Sequence, residues 1–444
     1  MAFDNNLYVS FEYQRYLDGI QRTERKECHT SQNPHRAILQ KTLDDLREVL
    51  TWLIPDCKVI AVGSFAAELD TYASDIDISL IAPSVEKDVL DNGTYSKEEK
   101  KNPRIFKILC LETILRWLKD ERMATYHKEA DWWNNCILFE NSQIIEGKIP
   151  VLSIRDRWTG VQIDITYNNK KAVLNTKFLY WLGELNPKFR SVARLIKTWA
   201  HEYEVENSKH HRLNPFSICL LTIAFLQQNH ALPTSFDLFK ELREASKADD
   251  ETRYLRNYIR NLDWKNKCTM TISEMFVAFL KFFREFDFNE CYVDVSKGGK
   301  LRKTASQTFK INISGSIRDA PMVILDPEYP GLNCARTVLK NCDRATMQEK
   351  AAATLEDFES PKLEFSFRRS KVRIVLCERG EDVLLTTEFM GVKQKHELEK
   401  EKGRFFGAPY DIPTLPYTDY PEVSKIEDKE VLVPDSFWDC DFMY

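Results

Sequence analysis

Two aspartates, Asp75 and Asp77, have the type and spacing of residues that act on phosphate groups. One residue separates them in the largely apolar segment ASDIDISL. In a β-strand, residues i and i+2 point to the same face, so the two carboxylates would lie side by side and repel each other unless a cation lies between them. Mg²⁺, or Mn²⁺ in its place, takes oxygen ligands and keeps positions for phosphate oxygens and water. The spacing therefore predicts a divalent-metal site.

A Gly-Ser pair, Gly63 and Ser64, precedes these aspartates, with ten residues between Ser64 and Asp75. Glycine lets the backbone approach a phosphate closely, and serine offers an N–H and a hydroxyl to phosphate oxygens. A third acid, Asp164, has apolar neighbours in VQIDITY, where a carboxylate is costly unless it is liganded. An Asp-x-Asp pair alone is usually an edge or turn feature. The combination favours a site for two ions, in which Asp164 also helps to remove a proton.

The elements that must position these residues follow from the hydrophobic periodicity. Apolar side chains three and four residues apart predict an amphipathic helix over 36–54. A buried helix is predicted over 105–118, helices with one apolar face follow residue 175, and the polar stretch 84–104 is predicted to be a solvated insertion. The predicted strands are CKVIAV, DIDISLIA, CILFE, KIPVLSI and VQIDITY. The pattern predicts a mixed α/β unit followed by a mostly helical unit, an α+β fold.

The order of the motifs is similar to that of the terminal uridylyltransferases and cytoplasmic-type poly(A) polymerases, members of the DNA polymerase β-like nucleotidyltransferases. Gly63-Ser64, Asp75-x-Asp77 and the distant Asp164 resemble the signature of that superfamily. The family motifs D-I-x-x-N-N, H-N-T, L-V-K-x-W-A, L-S-S-Y and D-P-F-x-x-x-x-N-V-A-R correspond here to DITYNN, LNT, LIKTWA, LNPF and DPEYPGLNCAR, in that order. The resemblance covers roughly residues 45–340.

The resemblance implies a bilobed enzyme that binds an NTP between a mixed-sheet palm domain and a helical poly(A)-polymerase-associated domain. Its implied reaction is template-independent addition of UMP, AMP or a mixed tail, such as alternating U and G, to RNA 3′ ends, in RNA tailing, regulation or silencing. It implies that Asp75, Asp77 and Asp164 bind two Mg²⁺ ions. It also assigns residues to the nucleotide. Gly63 and Ser64 form the turn beside the phosphates, and Asn175 and Thr176 contact the ribose and base. Lys197 binds the triphosphate, with His201 in place of the family's second lysine, Phe216 stacks on the base, and Asp326 and Asn333 lie in the nucleotide-recognition segment.

The departures from the family motifs leave the choice of base open. Leu332 stands where the uridylyl-selective members have a histidine, Tyr329 replaces an acid, and Pro215 replaces a serine. Two further functions also stay open. A cyclic- or oligo-nucleotide synthase uses the same Gly-Ser and Asp-x-Asp chemistry, and an inactive RNA-binding scaffold could keep the fold, although the presence of all three carboxylates argues against it.

The predicted domains combine the periodicity with the resemblance. They are an N-terminal arm over 1–44 that packs on the helical domain, a nucleotidyltransferase domain over 45–170, a helical central domain over 171–345, a β-hairpin extension over 346–409 that turns at Arg379-Gly380, and an acidic tail over 410–444.

The composition argues against several other classes of protein. Only 14 glycines occur, none in G-x-G-x-x-G or G-x-x-x-x-G-K, so neither a dinucleotide fold nor a P-loop is indicated. The 11 cysteines include no C-x-x-C pair, and zinc is not expected. The longest apolar run, Ile218 to Leu226, falls well short of the roughly 20 residues that span a bilayer. With no signal-peptide pattern at the N-terminus, we expect a cytoplasmic protein without a membrane partner, RNA granules being an open alternative.

The net charge of −5 is unevenly distributed. Residues 410–444 hold nine acids and two lysines, which leaves the rest of the chain at +2. Basic stretches at 165–215, 296–304 and 365–375 predict contact with the backbone of RNA, and DNA is not an expected partner. Because the sequence has no RNA-recognition module, we expect a protein partner to supply RNA specificity. The aromatic residues of the acidic tail are a candidate docking peptide for it.

Overall fold

The structure, a computed structural model, describes residues 34–71, 74–119, 137–156, 160–234, 237–303, 320–329, 331–359, 373–379 and 382–388. The chain divides into two compact units between Tyr180 and Trp181. The unit that begins at Thr30 and ends at Tyr180 is called the sheet unit here, and the unit from Trp181 to Lys393 is called the helical unit.

The sheet unit is built from short strands connected by helices. Its helices are α1 (Pro34–Leu53), α2 (Gly63–Ala66), α3 (Pro83–Asp91), α4 (Lys97–Lys101), α5 (Pro103–Leu118) and α6 (Lys170–Leu185), the last of which crosses into the helical unit. Its strands are β1 (Lys58–Val62), β2 (Ile76–Ile81), β3 (Ile137–Ile145), β4 (Val151–Asp156) and β5 (Gln162–Tyr167).

The five strands form one mixed sheet in the order β1-β2-β5-β4-β3. Strands β2 and β5 are parallel, and the other neighbours are antiparallel. Along β5, Ile163, Ile165 and Tyr167 are buried, whereas the alternate residues, Asp164 among them, are half-buried. The period of two therefore separates a core face from a face that carries polar side chains. The predicted α+β class with a mixed sheet is confirmed.

Helix α1 supplies part of the core of the sheet unit. Its residues Leu39, Leu43 and Leu50 are buried in one cluster with Ile78 and Ile163 of the sheet. An apolar stripe at helical spacing must be covered, and the sheet covers it. The prediction that residues 1–44 form an arm on the helical domain is therefore wrong for residues 34–44, and residues 1–33 lie outside the described residues.

The polar stretch 84–104, predicted to be a solvated insertion, is largely helical. It contains α4 and most of α3, and Val85 and Val89 of α3 are fully buried. Helix α4 begins with a capping box between Ser96 and Glu99, which satisfies the first backbone N–H groups. Two valines four residues apart are too few to stand out from the surrounding charges, which is why the composition was misleading.

The helical unit contains most of the later elements. They are α7 (Pro187–Glu202), α8 (Pro215–Gln228), α9 (Leu238–Ala245), α10 (Glu251–Asn261), α11 (Ile272–Glu285), β6 (Cys291–Asp294), β7 (Gly299–Arg302), α12 (Asn341–Glu359), β8 (Arg373–Arg379) and β9 (Asp382–Glu388). The sequence predicts α7, α8 and α11, which have long apolar faces. It does not predict α9, which has only eight residues, or α10, which is mostly polar.

Aromatic side chains fill the core of the helical unit. Trp199 of α7 packs edge-on against Phe279 and Phe283 of α11, and its indole N–H donates to Thr354 Oγ1 of α12 at 3.0 Å. Helix α12 is thus part of this core. The predicted boundary between residues 345 and 346 is wrong because it cuts through this helix.

Strands β8 and β9, on either side of the predicted turn at Arg379-Gly380, are antiparallel with Arg379 opposite Asp382, and Gly380 itself lies outside the described residues. The acidic tail over 410–444 lies outside the described residues. Within the described part of the chain, no helix has both the length and the apolar character needed to cross a membrane.

Candidate active site

Asp77 and Asp164 are direct neighbours in the sheet. They are Cα partners on the parallel strands β2 and β5, and the same row continues to Val62 of β1 and to Ser153 of β4. Partners in a sheet point their side chains to the same face, so the two carboxylates share the polar face of the sheet. The pairing of strands that are distant in sequence thus brings together two of the three predicted catalytic acids.

The carboxylate of Asp164 is held on one side only. Its Oδ1 accepts hydrogen bonds from Ser153 Oγ at 2.8 Å and from Gln162 Nε2 at 3.1 Å. Within the described residues, no group donates to Oδ2. Asp164 therefore has a fixed orientation and one oxygen available for a metal ion or a proton. Ser153 and Gln162 were missed in the sequence, although Gln162 shares the strand face of Asp164 at a spacing of two.

Gly63 packs directly against the carboxylate of Asp77. Its φ is +76°, a left-handed conformation that glycine adopts without steric cost. A Cβ added there would lie 2.9 Å from Asp77 Cγ and closer still to Oδ2. Only glycine therefore leaves room for this carboxylate. The predicted closeness of the Gly-Ser turn to the paired aspartates holds for Gly63 and Asp77.

Thr176 fixes the same turn from the other side. Gly63 N–H donates to Thr176 Oγ1 at 2.9 Å, and this hydroxyl in turn donates to Ala172 O at 2.7 Å. The hydroxyl proton is thus committed to the backbone of α6. The structure gives Thr176 the role of positioning Gly63 beside Asp77, and its predicted contact with a nucleotide stays a prediction.

We expect Thr176→Val to lower kcat for nucleotide transfer about tenfold to a hundredfold, because the loss of the acceptor leaves the Gly63 N–H unpaired and loosens the turn. Thr176→Ser keeps the hydroxyl and should retain near-normal activity. Steady-state kinetics with the NTP as the varied substrate checks this. A rise in KM alone, with kcat unchanged, would instead make Thr176 a nucleotide ligand.

The two asparagines of DITYNN connect β5 to the helix that carries Asn175 and Thr176. Asn168 has a left-handed φ of +45°, and its N–H donates to Leu80 O at 2.9 Å. Asn169 N–H donates to Ser79 Oγ at 2.8 Å, and its side chain accepts from Ala172 N–H at the start of α6. Their role here is therefore to start α6.

The side-chain oxygen of Asn175 is buried and has no hydrogen-bond partner among the described residues, which leaves an acceptor beside the site.

The segment between the Gly-Ser turn and the aspartates is held by Arg36 of α1. The Arg36 guanidinium forms an ion pair with the buried Asp70 and lies 4.7 Å from the centre of the Phe65 ring. Ser64, which directly precedes Phe65, is half-buried in α2, and Asp75 is exposed just before β2. Nothing in the sequence links Arg36 to Asp70, because only the tertiary fold brings α1 to this segment.

The helical unit carries the other predicted nucleotide-binding residues. Lys197 of α7 is only 6 % exposed, whereas His201, one turn later, is exposed. Burial raises the pKa of the Cys219 thiol to about 11, and the positive charge of Lys197 opposes this shift. Phe216 is half-buried in the first turn of α8.

Asp326 and Asn333 fold the segment that was predicted to recognise the base. Asp326 Oδ1 accepts from the N–H groups of Glu328 and Tyr329, at 3.0 and 3.1 Å. Asn333, 3 % exposed, uses its whole amide on the backbone, accepting from Ile324 and Ala335 and donating to Met322. Both side chains thus shape the segment, and direct contact with a base stays a prediction for them.

One predicted RNA-binding stretch, 165–215, is a surface only in part. Four of the cations in 165–215 are no more than 6 % exposed: Lys177, Arg190, Arg194 and Lys197. The expectation that this stretch forms a basic face is wrong for these residues, because their helices turn them inward. The stretch 296–304 does expose Lys300 and Arg302, and 365–375 lies mostly outside the described residues.

The donor set on the sheet suits a hard divalent cation. No three carboxylate, histidine or cysteine side chains within the described residues converge on one point. Mg²⁺ does not require that, since it is commonly bound by one or two carboxylates together with substrate phosphates and water. Asp77 and Asp164 offer oxygens only and share one face, and the lack of a side chain at residue 63 leaves room for the Asp77 carboxylate itself. These residues fit Mg²⁺ or Mn²⁺.

Comparison with known proteins agrees with this geometry. Residues 21–184 match the family model described as the central palm domain of mitochondrial-like poly(A) RNA polymerase. Poly(A) RNA polymerase gld-2 homolog A of Drosophila melanogaster is 27% identical over 188 residues, which are 41% of this chain and 14% of that protein. The chain thus spans about a seventh of the length of that relative.

Two solved structures share the fold. A cytoplasmic RNA terminal U-transferase has a TM-score of 0.52 and 16% identity, and the match covers 80% of this chain and 96% of that one. The crystal structure of mtPAP in complex with UTP has a TM-score of 0.52 and 18% identity, over 77% of this chain and 71% of that one. The resemblance indicated by the motifs is therefore confirmed: residues 21–184 match the central palm domain of mitochondrial-like poly(A) RNA polymerase, and the chain shares its fold with these two solved structures.

Proposed function

We propose that the chain is a template-independent RNA 3′-terminal nucleotidyltransferase that adds ribonucleotides from NTPs to RNA 3′ ends. The observation that carries the proposal is the row formed by Asp77 and Asp164 on neighbouring parallel strands, with Gly63 packed against the first carboxylate. Nucleotidyl transfer needs two carboxylates on one face beside a turn that a phosphate can approach closely. Similarity to poly(A) polymerases and a U-transferase supports the same reaction class.

Asp75, Asp77 and Asp164 would hold two Mg²⁺ or Mn²⁺ ions. Bound there, the ions would lower the pKa of the RNA 3′-hydroxyl and neutralise charge on the triphosphate. The oxygen-only donors on neighbouring strands support this assignment, as does Oδ2 of Asp164, to which no described group donates.

The protein's own residues orient the reactants. Asp164, fixed by Ser153 and Gln162, accepts the proton of the attacking 3′-hydroxyl at Oδ2. The 3′-oxygen then forms a bond to the α-phosphorus, and the bond from that phosphorus to the bridging oxygen of the β-phosphate breaks, so that pyrophosphate leaves. Ser64 offers its N–H and hydroxyl to phosphate oxygens, and Lys197 supplies a positive charge for the triphosphate. Phe216 would stack on the base.

The choice of base depends on the segment around Tyr329 and Leu332. Neither side chain supplies an imidazole or a carboxylate, so uridine is not selected there by a histidine. We propose a tail of adenylate, uridylate or a mixture such as alternating U and G, on RNAs selected with the help of a protein partner in the cytoplasm.

Incubation of one RNA with an equal mixture of the four NTPs and Mg²⁺, followed by sequencing of the tails, tests both the reaction and the base. We expect extended RNA, with adenylate and uridylate favoured over cytidylate. Soluble cyclic or 2′–5′-linked products made without RNA extension would contradict the proposal, and so would a complete lack of magnesium-dependent product.

A further inference from the structure

We propose that the exposed face of α10 binds the phosphate backbone of single-stranded RNA upstream of the 3′ end. This α10 arginine face consists of Arg253, Arg256 and Arg260. The inference deepens the proposed function and rests on it, because it concerns how the RNA substrate is held.

Helical geometry places the three arginines on one stripe. They are spaced by three and four residues, so their side chains lie above one another along the helix. Leu255, on the opposite side, is fully buried and anchors α10 to its unit, whereas all three arginines are exposed. In the part of the chain that the structure describes, none of the three guanidinium groups has an ion-pair or hydrogen-bond partner. They are available to an external anion.

The charge pattern distinguishes this face from an ordinary solvated helix. Residues 252–267 hold five basic side chains and one acid, Asp263. By comparison, α4 has the sequence KEEKK, in which acids and bases alternate and offset each other. A one-signed stripe of guanidinium groups attracts a polyanion, because each contact with a phosphate releases condensed counterions from the nucleic acid. The complementary partner is thus a chain of phosphates.

Two tyrosines lie on the side of α10 that faces α9, away from the arginine stripe. Tyr254 is 36 % exposed, and its hydroxyl donates to Glu241 Oε2 at 3.0 Å, which fixes the ring on the surface. Tyr258, four residues later, is half-buried beside it. Tyr254 therefore anchors α10 to α9, and the contacts with phosphate fall to the three arginines alone.

The α10 arginine face is connected to the predicted recognition segment within the same unit. Glu241, the partner of Tyr254, lies on α9, and Arg243 of α9 binds both carboxylate oxygens of Glu328 at 2.8 and 2.6 Å. Glu328 follows Asp326 in the recognition segment. Through these two contacts, α9 connects α10 to the segment where the incoming nucleotide is expected.

The test compares the full-length protein with a variant that carries Arg253→Ala, Arg256→Ala and Arg260→Ala. A matched control carries Lys87→Ala, Lys97→Ala and Lys101→Ala, which remove three exposed charges from α3 and α4. Binding of a labelled single-stranded RNA is followed by fluorescence anisotropy over a range of salt concentrations, and extension of a long and a very short RNA is followed with Mg²⁺ and NTPs.

We expect the arginine variant to bind the long RNA about tenfold more weakly, and the slope of log affinity against log salt to become shallower by about 2, since three phosphate contacts are lost. The KM for the long RNA should rise, while kcat and the extension of the very short RNA stay near those of the control.

An RNA affinity and a salt slope equal to those of the control would overturn the inference. If a synthetic peptide of residues 410–444 binds the wild type but not the arginine variant, while RNA affinity is unchanged, the face belongs to the acidic tail instead. Lack of extension by the wild type itself would overturn the proposed function, independently of where RNA binds.

Discussion

Asp77→Asn is expected to reduce nucleotide transfer at least about 1000-fold, with little change in the stability of the protein. The amide has the shape of the carboxylate but lacks its charge, and a metal-bound phosphoryl-transfer site relies on that charge for several kcal/mol of transition-state stabilisation. Asp164→Asn should have an effect of the same order, since the two side chains are neighbours on one face. Single-turnover extension of a labelled RNA in Mg²⁺ measures both variants.

The control for these substitutions is Asp91→Asn, which removes one charge from an exposed position in the last turn of α3. It should transfer nucleotides like the wild type. Thermal unfolding establishes that the active-site variants are folded. Wild-type extension rates in a folded Asp77→Asn protein would falsify the assignment of this residue.

Gly63→Ala is expected to lower nucleotide transfer about a hundredfold. It should also destabilise the protein by more than the cost of placing an alanine at a positive φ. The added methyl group meets the carboxylate of Asp77, so either this side chain or the turn must shift. A displacement of about 1 Å at a reacting group is sufficient for a loss of this size. RNA extension and urea unfolding measure the two effects.

Gly160→Ala separates the steric contact from the backbone strain. Gly160 has a φ of +68°, close to that of Gly63, but apart from its chain neighbours no described residue lies within 4 Å of the position where its Cβ would be. The Gly160→Ala substitution should therefore lower the free energy of unfolding by about 1 kcal/mol and leave nucleotide transfer unchanged. If both variants lose stability equally and neither loses activity, the contact between residue 63 and Asp77 has no functional role.

The strands and the long amphipathic helices were predictable from sequence because their periodicity is local. Helices α3 and α10 were not, since their few buried apolar residues, such as Val85 and Leu255, are outnumbered by charges, and α9 was not because it is only eight residues long. The N-terminal arm was predicted over 1–44 and wrongly assigned to the helical domain at residues 34–44 for a related reason. The periodicity of α1 shows that one face is buried, but not which unit covers that face.

The candidate site shows the same limit. The three aspartates and the Gly-Ser pair could be found from spacing, because strand geometry constrains i and i+2 and the motif is short. Ser153, Arg36 and the positioning role of Thr176 depend on which strands and helices become neighbours, and no local pattern states that. Composition also does not distinguish a buried cation from an exposed one. The buried Arg194 was therefore included in a predicted RNA-binding surface, whereas the exposed Arg256 was not.

The parallel pairing of β2 with β5 also has a consequence for how the protein folds. Asp77 and Asp164 meet only after the intervening segment, whose described part holds three helices and two strands, has closed a long loop. Loop closure of this kind delays native pairing, and partly folded chains have the two carboxylates far apart. During synthesis, catalytic competence cannot precede the emergence of β5, so a nascent chain that ends before that strand contains the Gly-Ser turn and Asp77 but no complete site.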